Sequence, residues 1–261
     1  MLIKLIEVEQ QDRLEEMLAA PAAQEDRVLY VTGQPDFAKA LIERALPCIF
    51  LEREPADIFG ADMIIMEDQS REWDWRSDRA FLESIWKRHY HLPWTIAETE
   101  RLLIRETIPE DLPALLEIYA QETGNKDVKL FSKEPEEELL AYISKRYGLY
   151  GYGLWTVAEK SSEDVIGRIG FEECSNEKVC GDNMIPELQY MIRREARKKG
   201  YAYEAAAAIL EYVRQQYGFE KAVLRTSAEN TASCNLAEKL GFRRISGTDN
   251  AERVFLEVQL K

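Results

Sequence analysis

Five basic residues gather in a short stretch of a chain that is otherwise acidic. Arg193 and Arg194 precede the segment Arg197-Lys198-Lys199-Gly200-Tyr201-Ala202, and Glu195 lies among them. The segment stands between a predicted strand and a long predicted helix, where free backbone N–H groups and the helix dipole favour an anion. Gly200 would let the backbone approach that anion closely. The pattern predicts a phosphate-binding loop, with a solvated loop beside a helix start as the alternative.

Further polar residues open the next predicted helix. Asn230 and Ser233 stand at its start, and Gly241 follows its end. Asn230 is a favourable N-cap and Gly241 a favourable residue after a helix, so structure alone can explain both. The Asn230 amide can also hydrogen-bond an extended polar ligand beside the preceding strands. Both interpretations stay open at this point.

The elements before residue 95 predict a small α/β unit with parallel strands. Strands are predicted at Arg27–Thr32, Pro47–Glu52 and Ala61–Met66, and helices at Asp36–Ala45 and Asp78–Tyr90. The unit looks like half of a Rossmann-like or haloacid-dehalogenase-like fold. It lacks the Gly-x-Gly-x-x-Gly fingerprint and the Asp-x-Asp motif that would make such a unit an enzyme. We therefore expect a structural or regulatory role for it.

The segment His89-Tyr90-His91-Leu92-Pro93-Trp94 ends this unit, because Pro93 cannot continue a helix and disfavours helix at the residue before it. The two histidines have no third ligand nearby, so they are interpreted as surface groups and no metal site is predicted. The sequence thus predicts two domains, residues 1–95 of unknown role and residues 96–261.

Four segments of the second domain carry a resemblance to a known family. They are the strand Glu187-Leu188-Gln189-Tyr190, the loop Arg197-x-x-Gly200-x-Ala202, Asn230-x-x-Ser233, and Lys239-x-Gly241-Phe242. In this order they resemble the GNAT superfamily of N-acetyltransferases, and within it the branch that includes ribosomal-protein N-acetyltransferases. The resemblance covers Arg101 to Lys261.

The resemblance implies an α+β fold, with a mixed central sheet that is splayed between its fourth and fifth strands and flanked by helices. It also implies that acetyl-coenzyme A (acetyl-CoA) lies in the gap as co-substrate, without a metal. Its expected contacts are the backbone of Met191, Ile192 and Arg193 for the pantetheine arm, the loop Arg197–Ala202 for the pyrophosphate, and Asn230 and Ser233 near its middle.

Acetyl transfer also needs a neutral amine, because an ammonium group has no lone pair to attack the thioester carbonyl. The resemblance places Glu187 at the start of the fourth strand, where it is the candidate base. Glu172 and Glu173 close the neighbouring strand and are the alternatives.

Aromatic residues could serve the acceptor end of this site. Relatives often carry a tyrosine four residues before the Gly-Phe pair to protonate the leaving thiolate, but Ala237 stands there. Tyr190 or Tyr152 could substitute for it. Tyr150, Tyr152 and Trp155 belong to a glycine-rich aromatic segment that the resemblance places beside the acceptor amine. They would enclose it by apolar and cation–π contacts, or else anchor the segment to the core.

The composition limits the partners. A formal net charge of -14 at pH 7 argues against nucleic acid, whereas a cationic amine would be attracted to such a surface. The four cysteines form no Cys-x-x-Cys pair, which favours reduced thiols and a cytoplasmic protein. No apolar run has membrane-spanning length. The sequence leaves open whether the chain forms a homodimer.

The expected function is an acetyl-CoA-dependent N-acetyltransferase that passes acetyl directly to a primary amine of a small molecule or a protein N-terminus. A catalytically weak CoA-binding regulatory module is the alternative, because the expected tyrosine is missing. The sequence does not identify the acceptor amine.

Overall fold

The computed structural model describes residues 2–20, 26–58, 60–66, 74–122, 134–181, 184–245 and 253–260. Two compact units make up the chain. The first comprises Met1–Trp94 and Leu140–Gly151, and the second comprises Thr95–Leu139 and Tyr152–Lys261. Throughout the described ranges, each helix is too short or too polar to cross a membrane.

The first unit contains a parallel sheet of four strands that stand in chain order. The three predicted strands and two predicted helices are confirmed to within two residues at each end. The elements are β1 (Lys4–Glu7), α1 (Gln11–Ala19), β2 (Val28–Thr32), α2 (Pro35–Glu43), β3 (Cys48–Glu52), β4 (Met63–Met66) and α3 (Arg79–His89).

The sequence did not predict β1 and α1, because neither carries a strong local signal. β1 has four residues, KLIE, with charged side chains at both ends. The residue before α1 is Gln10, whose side chain makes no capping hydrogen bond, so the usual start signal of a helix is missing. Leu14 and Met17 are buried in this helix. Packing against the sheet therefore stabilises an element that its local sequence specifies weakly.

Helices cover both faces of this parallel sheet. Side chains alternate along β2, so Val28 and Tyr30 join the core formed with α1 and α2, while Leu29 and Val31 join the core formed with α3. Burial on both faces explains why the strands read as continuous apolar runs.

The Glu9 carboxylate occupies the position in front of the start of α2. The backbone N–H of Gly33 donates to Oε1 of Glu9 at 2.9 Å, and the Gln34 side-chain amide donates to the Glu9 carbonyl at 2.6 Å. This position, beyond the carboxyl ends of parallel strands, is where α/β sheets commonly hold anionic ligands. A phosphate there would meet the Glu9 carboxylate, which agrees with the absence of a nucleotide fingerprint from the sequence.

His89 is not a surface group, so the interpretation of this residue was wrong. Its Nδ1 lies 3.0 Å from each carboxylate oxygen of Asp62, and its Nε2 lies 3.0 Å from the Ala45 carbonyl oxygen. Burial lowers the pKa of His89, but the hydrogen bond and charge of Asp62 outweigh burial, and the pKa is raised. His91 is exposed. No group of three or more His, Cys, Asp or Glu residues suited to a metal occurs in the described part of the chain.

An eight-stranded mixed sheet forms the second unit, which confirms the α+β expectation. Its strands stand in the order β11-β12-β10-β9-β8-β7-β6-β5. The strands are β5 (Thr95–Glu98), β6 (Leu102–Arg105), β7 (Leu154–Glu159), β8 (Val165–Glu173), β9 (Pro186–Ile192), β10 (Lys221–Ser227), β11 (Arg243–Arg244) and β12 (Arg253–Gln259). The helices are α4 (Leu112–Ala120), α5 (Pro135–Ile143), α6 (Glu177–Cys180), α7 (Tyr201–Tyr217) and α8 (Thr231–Lys239). α5 continues into a π-helical turn, Ser144–Tyr150, which belongs with the first unit. The sequence also predicts a closing strand near Arg243–Ser246, and its last residue, Ser246, lies outside the described residues.

The sheet is splayed between β9 and β10. β9 pairs with β8 along its whole length, from Pro186 to Ile192. With β10, which runs parallel to it, β9 shares one registered pair, Glu187 with Val223, within these fully described strands. Beyond that pair, one edge of β9 has no registered partner. This is the gap that the fold resemblance implies between the fourth and fifth strands.

Candidate active site

The loop before α7 presents backbone N–H groups at the start of a long helix. Gly200 has a φ of +87°, a left-handed conformation that favours glycine, and it directly precedes the helix. The N–H of Glu204 donates to the Gly200 carbonyl at 3.1 Å and closes the first turn. The amides of Tyr201, Ala202 and Tyr203 therefore precede the helical hydrogen-bond ladder, and their N–H groups form the positive end of the helix dipole.

Two arginines of the basic segment hold this loop against its neighbours. An Nη atom of Arg193 lies 3.2 Å from a carboxylate oxygen of Glu117 on α4. The Nε–H of Arg197 donates to the Ile192 carbonyl at 2.8 Å, and its guanidinium also pairs with Glu122. These side chains are engaged in holding the loop, so they supply less free positive charge than the sequence suggests.

Lys198 and Lys199 remain as charges that could meet an anion. Both are exposed, and neither ammonium group forms an ion pair with a described residue. Lys198 has a φ of +62° and so shares the left-handed backbone of this loop. Two lysines beside the amide groups that open α7 make an arrangement suited to a pyrophosphate.

Arg101, in the turn between β5 and β6, contacts this loop, and no local sequence pattern predicts the contact. Its guanidinium donates to the Lys199 carbonyl at 3.0 Å and to the Glu204 carboxylate at 2.7 Å. It also lies over the ring of Tyr201, 4.5 Å from the centroid. A Cβ added to Gly200 would stand 3.3 Å from an Nη atom of Arg101. The loop conformation is therefore fixed by a residue far away in the chain.

Glu187 is a buried carboxylate at the point where β9 and β10 separate. Only 4% of the residue is exposed, and the Nε–H of Arg225 on β10 donates to its Oε1 at 3.0 Å. Burial raises the pKa of Glu187 above the ordinary carboxyl value, while the charge and hydrogen bond of Arg225 act in the opposite direction. The side chain is therefore closer to proton exchange at neutral pH than an ordinary glutamate.

The two alternative carboxylates differ from Glu187 in environment. Glu172 is the cross-strand partner of Glu187 on β8 and is partly buried, and it accepts a hydrogen bond from Gln189 at 3.4 Å. Glu173 is exposed at the end of β8. Of the three candidates, Glu187 has the most buried environment.

Hydroxyl groups meet between β9 and α8. The Tyr190 hydroxyl donates to Oγ of Ser233 at 3.0 Å, and burial raises the pKa of Tyr190. Asn230 caps α8, since its Oδ1 accepts the Ser233 N–H at 3.1 Å. The structural interpretation of Asn230 is thus confirmed, and the cap holds Ser233 opposite the tyrosine. Ala237 is completely buried.

The carboxyl-terminal part of β9 is bonded on one side. Met191 and Ile192 pair with residues of β8, and the N–H of Arg193 donates to the Ile166 carbonyl at 2.8 Å. The opposite edge of this segment faces the gap, where its backbone groups could receive an extended polar ligand.

The predicted acceptor aromatics occupy different environments. Trp155 is completely buried and packs edge-to-face with Phe171 at a centroid distance of 5.7 Å. Tyr152 is 8% exposed and stacks on the same ring at 4.8 Å. Tyr150 is 46% exposed and belongs to the first unit, with the Arg146 guanidinium 5.7 Å from its ring centroid. The environments of Trp155 and Tyr152 favour an anchoring role, whereas Tyr150 is accessible.

Residues 101–243 match the family described as "Acetyltransferase (GNAT) domain", and they make up more than half of the chain. The chain belongs to the GNAT acetyltransferase family. The acetyltransferase is 30% identical over 149 residues to the uncharacterized N-acetyltransferase YnaD of Bacillus subtilis, and the match covers 56% of this chain and 81% of YnaD. The family match and this relative indicate that the protein is an acetyltransferase, and thus an enzyme.

Solved structures share the fold of this acetyltransferase. The acetyltransferase from Agrobacterium tumefaciens superimposes with a TM-score of 0.51 at 19% identity, over 62% of this chain and 92% of that chain. RimL, a ribosomal L7/L12 α-N-protein acetyltransferase solved in complex with coenzyme A, gives a TM-score of 0.52 at 12% identity, over 64% of this chain and 98% of that chain. The family match begins at residue 101, so residues 1–100 lie outside it.

Proposed function

We propose that this enzyme transfers an acetyl group directly from acetyl-CoA to a primary amine of a small molecule or of a protein N-terminus. The observation that carries the proposal is the Glu187 carboxylate, buried where β9 and β10 separate and raised in pKa. A base works best when its pKa lies near the working pH, because it must be ionised and still attract a proton. Glu187 is therefore the proposed base, with Glu172 and Glu173 as alternatives.

The described residues fit acetyl-CoA as co-substrate, which would supply the acetyl group as a reactive thioester. Lys198, Lys199 and the amides at the start of α7 would hold the pyrophosphate, since they are positive and near one another. The gap-facing edge of β9 would hold the pantetheine arm through the backbone of Met191, Ile192 and Arg193. The Arg193 N–H and the Ile192 carbonyl are already bonded, to Ile166 and to Arg197, so the other backbone groups of this segment would make the contacts. Ser233 and Asn230 would bind near the middle of the molecule. Gly200 supports this assignment because a side chain there would crowd the loop.

Tyr190 is the proposed donor of the proton that the leaving coenzyme A sulfur requires. Its hydroxyl lies at Ser233, on the interface between β9 and α8. The raised pKa keeps the phenol protonated at neutral pH, so a proton is available at that atom. Tyr152 is a weaker candidate because its ring stacks in the core.

Tyr150, which is exposed, aromatic and part of the first unit, stays a sequence-based prediction for the acceptor end. Trp155 and Tyr152 would act there by supporting the segment.

We also propose that residues 1–95 and 96–261 are separate domains, the first without catalysis of its own. Residues 140–151, which include the last residues of α5, belong to the first unit.

A CoA-binding module with weak catalysis is the second candidate. The observation that favours it is Ala237, which is buried without a polar group where relatives often carry the tyrosine that protonates the thiolate. This module would bind acetyl-CoA through the same loop but would not turn it over.

The test measures thiol release from acetyl-CoA with a panel of acceptors. The panel contains a peptide with a free N-terminus, the same peptide N-blocked and carrying lysine, a free amino acid and a polyamine. Calorimetric titration with acetyl-CoA runs in parallel. Turnover with one amine class supports the enzyme and identifies its acceptor. Binding without turnover across the panel supports the regulatory module, and the absence of binding contradicts both.

A further inference from the structure

The contact between Arg225 and Glu187 joins β10 to β9, the two strands that separate. Arg225 stands two residues beyond Val223, the partner of Glu187, and side chains two apart on a strand point to the same face. Its Nε–H donates to Oε1 of Glu187 at 3.0 Å. The carboxylate side chain is 5% exposed and the guanidinium side chain 34% exposed. A partly solvated cation therefore reaches inward to a buried anion.

The pair leaves one carboxylate oxygen available. Among the described residues, the hydrogen bond to Glu187 runs to Oε1, and none is found to Oε2. Guanidinium and carboxylate groups often meet through two parallel hydrogen bonds, as Arg105 and Asp111 do in this unit at 2.7 Å each. The contact at Glu187 uses Nε alone. It orients the carboxylate and keeps its second oxygen free of the cation.

Other charged groups also act on Glu187. Glu172 on β8 raises its pKa and Arg253 on β12 lowers it, after the larger effects of burial and Arg225. Cys174, which follows β8, also interacts electrostatically with Glu187, and its thiol pKa is raised to about 12, chiefly by burial. The thiol is neutral at physiological pH and adds no charge there. Arg225 is the nearby cation that bonds to the carboxylate directly.

A purely structural ion pair is a poor explanation for this arrangement. Burying a carboxylate costs more free energy than one contact with a partly solvated arginine usually returns, and an apolar residue would serve packing as well. Removal of one partner from such a pair leaves a costly buried charge. The pair lies where β9 and β10 separate, and this position favours a role in the reaction.

We propose that Arg225 is the positioning residue of the catalytic base. It holds Oε1 of Glu187 so that Oε2 faces the acceptor amine and takes its proton. The inference rests on the proposed function, in which Glu187 is the base. The proton passes from the amine nitrogen to Oε2, and the nitrogen lone pair that it leaves forms the new bond to the acetyl carbon. The bond from that carbon to the coenzyme A sulfur breaks, and the departing thiolate takes its proton from the Tyr190 hydroxyl, the donor assigned under the proposed function.

The test compares Arg225→Met and Arg225→Lys with the wild type by two measurements. The first is the pH dependence of kcat/KM with the best acceptor of the panel. The second needs no turnover: the Glu187 carboxyl is titrated by carbon-13 NMR in glutamate-labelled protein, and its signal is assigned by its loss in Glu187→Gln. Arg214→Met is the matched control, because Arg214 is 37% exposed and pairs with Glu211 on the surface of α7.

Arg225→Met should raise the pKa of Glu187 by about 1 pH unit or more, because the carboxylate loses an opposite charge. The acidic limb of the kcat/KM profile should move upward by the same amount, and kcat should fall by about tenfold or more. Arg225→Lys should recover most of the pKa change but only part of kcat, since the charge returns without the oriented Nε–H. Arg214→Met should change neither measurement.

Two results would overturn the inference for different reasons. If Arg225→Met leaves the NMR titration of Glu187 unchanged, Arg225 does not act on the carboxylate. If the NMR titration moves while the acidic limb stays in place, Arg225 acts on a group that is not the base, and the base assigned under the proposed function is wrong as well. Circular dichroism checks that each variant is folded.

Discussion

Glu187 and Val223 form the registered pair that joins β9 to β10 within the described strands. The pair sits at the start of both strands, and the separation begins immediately after it. A carboxylate at this position is buried by the sheet on one side and adjoins the gap on the other. Glu173, by contrast, is exposed at the end of β8, so we propose Glu187 rather than Glu173 as the base.

Replacement of Glu187 by Gln should lower turnover by about 10²- to 10⁴-fold at neutral pH, the usual contribution of a general base. Gln keeps the shape but cannot accept a proton. In the wild type, activity should be lost as the pH falls through the raised pKa of Glu187, because the base becomes protonated. The deficit of the variant should shrink at high pH, where the amine arrives deprotonated. Glu172→Gln and Glu173→Gln are the comparison variants, and a Glu187→Gln enzyme within about twofold of wild type across the pH range moves the role to one of them.

Substitution of Gly200 by Val should weaken acetyl-CoA binding by about tenfold or more, since the loop would change shape where the phosphates approach. A β-branched residue at a φ of +87° is strained, and its Cβ would crowd Arg101 at 3.3 Å. Gly218→Val is the matched control: Gly218 ends the same helix with a φ of +67°, and a Cβ there meets nothing within 4 Å. Both variants should lose about 1 to 2 kcal/mol of stability. Calorimetry should show weaker binding for Gly200→Val alone, and equal affinities would remove the loop from the cofactor site.

The His89 contact with Asp62 should make the stability of the first unit depend on pH. The pKa of His89 in the folded state lies above its ordinary value of 6.5, so the stabilisation is fully present below that value. It should be lost as the pH rises through the folded-state pKa. Urea unfolding from about pH 6 to about pH 8 should show this decline in the wild type and in His91→Gln, but not in His89→Gln. The same slope in all three proteins would contradict the assignment.

A chain that begins at Glu98 should still bind acetyl-CoA, because every proposed contact of the co-substrate lies after that residue. It should melt at a lower temperature than the full chain. The π-helical turn Ser144–Tyr150 contacts β4 in the first unit, and truncation removes that strand. Calorimetric titration and thermal unfolding followed by circular dichroism check both outcomes. A truncated chain that is folded yet fails to bind would show that the proposed domains are not independent.

Local patterns were sufficient for the loop before α7 and for most elements of both units. The positive φ of Gly200 and the capping bond from Asn230 depend on neighbours within a few residues, so the residue types predict them directly. The splayed sheet followed from a resemblance of motifs in order along the chain. By contrast, β1 and α1 went unpredicted because their stability comes from packing.

The sequence by itself determined the family, the position of the basic loop before α7 and the three carboxylates among which the base is sought. The tertiary structure decided which carboxylate is buried. It also formed contacts between residues far apart in the chain: Arg225 with Glu187 across 38 residues, Arg101 with Glu204 across 103, and His89 with Asp62 across 27. Such pairs depend on strand register and on how elements pack, and a one-residue shift in register would turn a side chain to the opposite face of the sheet. Residue types and local spacing do not contain that register, so the charges that tune this site become visible only in the folded chain.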